Sequence, residues 1–267
     1  MGHRLPKEKA PRTVQGSLMT GMTVRIIGDG GLRALLSACC TEASSLVEAT
    51  AGVPTPDGDD GYLWRWALLY LVLAADFGES VLELANGSHN RALLVLRRIP
   101  FEYMVRLKYY CKYPEVARAD LDDFHRQASK FKERLPPGAF DFIADPSFDP
   151  TTHKKPDKNF ELILKDVLPD RASELYAQFY SFPSALVHGL ALAFIDITSL
   201  DSETTVTLHQ KSSRTDVNRD VLYNFCAFFV ALLADAAHLL GMGKQRTVSL
   251  HSRLLEAART LGIETYK

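Results

Sequence analysis

Tyr180, Ser184 and His188 stand at steps of four in the stretch YSFPSALVHG (180–189), among Phe182, Leu186, Val187, Leu190 and Leu192. In an α-helix that spacing lines the three polar groups along one stripe. A hydroxyl, a phenol and an imidazole together can donate, accept and shuttle a proton, so the stripe is a candidate site. A second candidate lies in NRALLVLRRIPFEYMVRLKYYCK (90–112). With Arg91 at zero and about 100° per residue, Arg98 falls near −20°, Glu102 near +20° and Tyr109 near 0°. Leu94, Val95, Ile99 and Val105 border that stripe. Arg97 and Lys108 fall near −120° and −100°, which is the expected solvent side.

Each stretch carries an interior proline. Pro100 would free the carbonyl of Leu96, and Pro183 that of Phe179 if its helix is continuous α. If the two helices face each other, both kinks open polar groups toward one space. Two readings then compete. In the first, Tyr180, Ser184 and His188 complete the hydrogen bonding of a buried Arg98–Glu102 pair, which burial otherwise penalises by several kcal/mol per ion. In the second, the cluster is a ligand or catalytic site. His188 is then general acid/base, Arg98 or Arg91 stabilises an anion, Glu102 orients, and Tyr180 and Ser184 donate hydrogen bonds.

The pair of motifs, RRIPFEYMVRLKYY (97–110) and YSFPSALVHG, resembles a family of helical bacterial and archaeal proteins catalogued as domain of unknown function 5677. Its members show an R-x-x-x-E helix followed by Tyr, Ser and His on a later helix. The resemblance covers roughly residues 60–240. It implies an all-helical fold and a shared polar site, and brings no activity with it. A weaker similarity is to helical ribonucleases of prokaryotic defence and toxin systems, which place an Arg and then a His on one helix with four to six residues between them. RADLDDFH, Arg118 to His125, has that spacing here, with six residues between. Cleavage would otherwise need Arg91 or Arg98 to meet His188 through space.

Other chemistry is poorly served. Asp122 and His125 at i, i+3 could bind a metal, but Arg118, Arg126 and Lys130 around them suggest a solvated face. No metal or other cofactor is expected. Ser184 beside His188 lacks a G-x-S-x-G elbow, which argues against acyl transfer. GDGG (28–31) lacks the rest of a phosphate loop. HKKPDK (153–158) reads as a solvated basic loop, and His238 as a core histidine.

These residues sit in a chain of 267 with net charge −1, 46% hydrophobic and 24% charged, enough for a sizeable core. The near-neutral balance gives no global case for nucleic acid or anionic membranes. Cys39, Cys40, Cys111 and Cys226 form no CxxC, and read as buried reduced thiols of a cytoplasmic protein. No apolar run follows the basic start, so no secretory leader is expected. YLWRWALLYLVLAA (62–75) and VLYNFCAFFVALLADAAHLLG (221–241) carry charges, and read as core helices rather than membrane spans.

Helical periodicity recurs over 32–50, 61–86, 90–112, 115–134, 159–166, 170–192, 216–241 and 245–261. Weak alternation suggests a β-hairpin near 193–210. The expected architecture is an all-α bundle of seven or eight helices over 31–267. A basic arm (1–30) precedes it, and a Pro/Asp-rich excursion interrupts it at 136–158. Expected partners are RNA or a small anionic ligand, and a second copy of the chain. The functional expectation is an RNA-directed nuclease or toxin-like defence protein; the alternative is a non-catalytic helical sensor or interaction module.

Overall fold

The computed structural model describes residues 29–86, 90–129, 159–181, 183–184, 198–202, 205–208 and 215–262. They form an all-α bundle. Its helices are α1 (Asp29–Ala49), α2 (Gly58–Asn86), α3 (Asn90–Leu96), α4 (Arg98–Lys112), α5 (Pro114–Ser129), α6 (Phe160–Val167) and α7 (Ala172–Tyr176). A π-helical turn, Ala177–Ser181, continues α7. After it come a two-stranded antiparallel ribbon, β1 (Thr198–Ser202) with β2 (Thr205–Leu208), and then α8 (Thr215–Leu239) and α9 (Val248–Leu261). The ribbon falls where alternation suggests it. The arm up to residue 28 and the 136–158 excursion lie outside the described residues.

The core follows from the 3.6 period. α1 buries Leu32, Leu35, Leu36, Cys39, Ala43 and Leu46 at i, i+3, i+4 spacing, against α2 and α8. α8 is the central element, packed on α1, α2 and α4 with Phe225, Phe229, Leu232 and Leu233 fully enclosed. Among the described residues, its stretch Arg219–Leu239 is long and apolar enough to cross a membrane by length and composition. Its Asp235 is tied to Lys108 of α4 at 2.7 Å. Gly78 of α2 sits where side chains of α1 and α8 press against its backbone. A Cβ there would lie 2.6 Å from Cys40 Sγ and 3.4 Å from Phe229. α8 ends where Gly241, at φ +72°, lets the Met242 amide reach back to the Ala237 carbonyl.

Expectations about Asp122, Cys111 and His238 are corrected. Asp122 is only 4% exposed, so its part of α5 is no solvated face. Cys111 is exposed, unlike the other three thiols. His238 is exposed near the end of α8 rather than enclosed.

The segment 90–112 is not one kinked helix but two. α3 ends at Leu96 and α4 starts at Arg98, with Arg97 as the turn between them. Pro100 in the first turn of α4 cannot donate to Leu96, and its ring crowds that carbonyl, so the ladder is cut there. Arg97 itself keeps helical dihedrals, φ −57° and ψ −22°, and its N–H still meets the Leu93 carbonyl at 3.0 Å. Arg97 points inward and is 8% exposed, contrary to the solvent side expected for it.

Candidate functional site

The Arg98–Glu102 pair forms as its i, i+4 spacing requires. Arg98 Nε donates to Glu102 Oε2 at 3.0 Å. One turn further on, Arg106 donates through Nε and Nη2 to the other carboxylate oxygen, Oε1, at 3.1 Å each. One carboxylate thus bridges two guanidinium groups on the same face of α4. Side-chain exposures are 28% for Arg98, 19% for Glu102 and 29% for Arg106. The triad is half-buried, neither sealed nor open.

The α7–π segment closes over it. Arg98 Nη1 donates to Ser184 Oγ at 2.8 Å, and Ser184 donates onward to the Tyr180 carbonyl at 2.7 Å. The Arg98 guanidinium lies 3.9 Å from the centre of the Tyr180 ring, a cation–π contact. Phe160 of α6 stacks on Tyr180 at 4.5 Å, and Tyr176 stacks on it at 5.2 Å. Arg106 lies 5.7 Å from the Phe160 ring. Asn159 fixes where α6 begins by accepting the Glu161 amide on its side chain, and so sets the position of Phe160.

Arg97, at the helix break itself, grips the same segment. Its Nη2 donates to the Gln178 carbonyl at 2.7 Å and its guanidinium lies 5.1 Å from the Phe179 ring. Burial pulls its pKa below the ordinary arginine value, opposed by the charge of Asp220.

Behind Arg106 the polar chain continues into the bundle. Tyr110 donates to Asp120 Oδ2 of α5 at 2.6 Å, and Tyr70 of α2 stacks on Tyr103 at 4.6 Å. Burial pushes the Tyr70 and Tyr110 phenols well above their ordinary range and Tyr103 up to about 12, so all three stay protonated donors. Burial likewise holds the Asp120 carboxyl above its ordinary value, against the lowering effects of Tyr110 and Arg106. Trp66 Nε1 donates to the Ala117 carbonyl at 2.8 Å beside this cluster and joins α2 to α5.

Of the residues the sequence singles out, Arg98, Glu102, Tyr180 and Ser184 come together. His188 and the side chain of Arg91 lie outside the described residues, as does the side chain of His125. Tyr109 is buried elsewhere, 4.9 Å from the Tyr113 ring. Arg106, Arg97 and Phe160 belong to the constellation, and the sequence pattern does not single them out. Arg106 is open to the same i, i+4 rule, since it follows Glu102 by four. Among the described residues no group of three or more His, Cys, Asp or Glu could hold a metal ion.

Compared with protein-family models, curated proteins and solved structures, the chain matches none of them. The class that the fold itself defines is a helical bundle with an arginine–carboxylate–arginine triad under an aromatic clamp.

Proposed function

We propose that this chain is a non-catalytic helical sensor or interaction module, in which the Arg98–Glu102–Arg106 triad with Tyr180 and Ser184 fixes how the α7–π segment packs on α4. One observation carries the reading: the triad and the Ser184 hydroxyl hold one another. Both oxygens of Glu102 are engaged by arginines, Arg98 is committed through Nε and Nη1, and the Ser184 hydroxyl both accepts and donates. A small anion on Arg98 would have to compete with Glu102 or Ser184. A general acid/base site instead needs donors aimed at a space where a reacting atom can sit.

The RNA-directed nuclease is the rival. It needs His188, four residues after Ser184, to act with Arg98 on a phosphodiester. The test is incubation of the purified chain with end-labelled single-stranded RNA, beside His188→Ala. The module reading expects equal background for both. Cleavage that disappears in both His188→Ala and Arg98→Lys would overturn it in favour of the nuclease.

A further inference from the structure

The π-helical turn Ala177–Ser181 is followed two residues later by Pro183, which is buried. A π ladder closes from the N–H of residue i+5 to the carbonyl of residue i. Continued by one step, it asks the N–H of residue 183 to meet the carbonyl of Gln178, and proline has none. The α register expected from the sequence would instead strand the carbonyl of Phe179. The atom that Arg97 Nη2 reaches, at 2.7 Å, is Gln178 O.

We infer that Arg97 is a positioning residue: it stands in for the backbone donor Pro183 lacks, and thereby holds the π register that sets Ser184 against Arg98. The rest of the Arg97 environment agrees. Its side chain is almost wholly enclosed, and its buried Nε has no hydrogen-bond partner. A buried cation with an idle donor is poorly served for stability alone, whereas the 2.7 Å bond of Arg97 lands on the orphaned carbonyl. Reversion of the turn to α would rotate the residues beyond it by roughly 100° and carry Ser184 off the face that meets Arg98. Two neighbouring arginines at the helix break therefore divide the work: Arg97 sets the register and Arg98 takes the contact.

The inference rests on the module reading in one respect, that the Arg98–Ser184 contact is what the register serves. Its test is independent of activity. In the full-length chain, the Tyr180 ring 3.9 Å from the Arg98 guanidinium shifts the Arg98 side-chain proton resonances upfield, and the signal is assigned by its loss in Arg98→Lys. The shift is expected in the wild type, lost in Arg97→Met, and recovered in Arg97→Met/Pro183→Ala, where the backbone amide restored at position 183 can meet Gln178 O. Persistence of the shift in Arg97→Met, or no recovery in the double variant, overturns the inference. If Arg97→Met alone does not fold, the double variant must fold and show the shift; its failure to do so also overturns it. RNA cleavage dependent on His188 would sink the module reading and leave this result standing.

Discussion

Replacing Glu102 by alanine removes one carboxylate and strands two cations. An exposed ion pair contributes about 0.2–1 kcal/mol, whereas breaking a buried pair from one side costs about 3–5 kcal/mol. Glu102 is 19% exposed and its partners 28% and 29%, so water screens the pair only in part. Two guanidiniums then face each other across the space the carboxylate held. Together these place Glu102→Ala at about 2–4 kcal/mol of lost stability. Arg98→Ala should cost less, about 1–2 kcal/mol, because Arg106 keeps its two-point hold on Glu102 while Ser184 loses only one donor. Glu102→Gln should fall between, since it keeps an acceptor and loses the charge. Urea unfolding is the assay, with an unchanged dependence on denaturant and a lowered midpoint. A Glu102→Ala loss under about 0.5 kcal/mol would mean the triad behaves as a solvated surface pair, and the reasoning fails. So would a larger loss for Arg98→Ala than for Glu102→Ala.

Three further outcomes are expected from other parts of the bundle. Burial holds the Asp120 carboxyl above its unfolded value, so the native state binds that proton more tightly, and Asp120 makes stability fall as pH rises from about 4 through its raised value. Asp120→Asn, which still accepts from Tyr110, should remove that decline; parallel stability profiles for the two proteins between pH 4 and 7 would contradict it. Native protein should react with a thiol reagent at Cys111 alone, because Cys39 and Cys40 are enclosed with pKa values pushed to about 12 and Cys226 is fully buried. Labelling of two or more cysteines per chain before unfolding would refute that packing. Gly78→Ala should destabilise by about 1–3 kcal/mol, because its Cβ would collide with Cys40 Sγ at 2.6 Å. Adding Cys40→Ala should recover much of the loss, and strict additivity of the two changes in urea unfolding would argue against the collision.

Helix content and the Arg98–Glu102 pair are legible in the sequence because each depends on spacing within one helix, and Tyr180 and Ser184 are legible as a polar pair four residues apart. Arg97 is not. Its expected place takes the face away from the Arg98–Glu102 stripe as solvent, whereas Gln178 and Phe179 pack against Arg97 there, so a residue expected in solvent is one of the most enclosed charges. The π register is hidden for a related reason. Only Pro183 hints at it locally, and whether proline strands carbonyl 178 or 179 depends on a donor some eighty residues earlier in the chain. Phe160 is out of reach as well, since it arrives from a different helix, and no local pattern reports which ring stacks on Tyr180.

If Arg98 pins the α7–π segment rather than performing chemistry, its loss should loosen that segment and little else. Amide hydrogen exchange of the wild type and Arg98→Ala, followed peptide by peptide, reads this out. Faster exchange confined to residues 172–184, with α1, α2 and α8 unchanged, is the predicted result. Unaltered exchange there, together with loss of an RNA-cleaving activity, would contradict it.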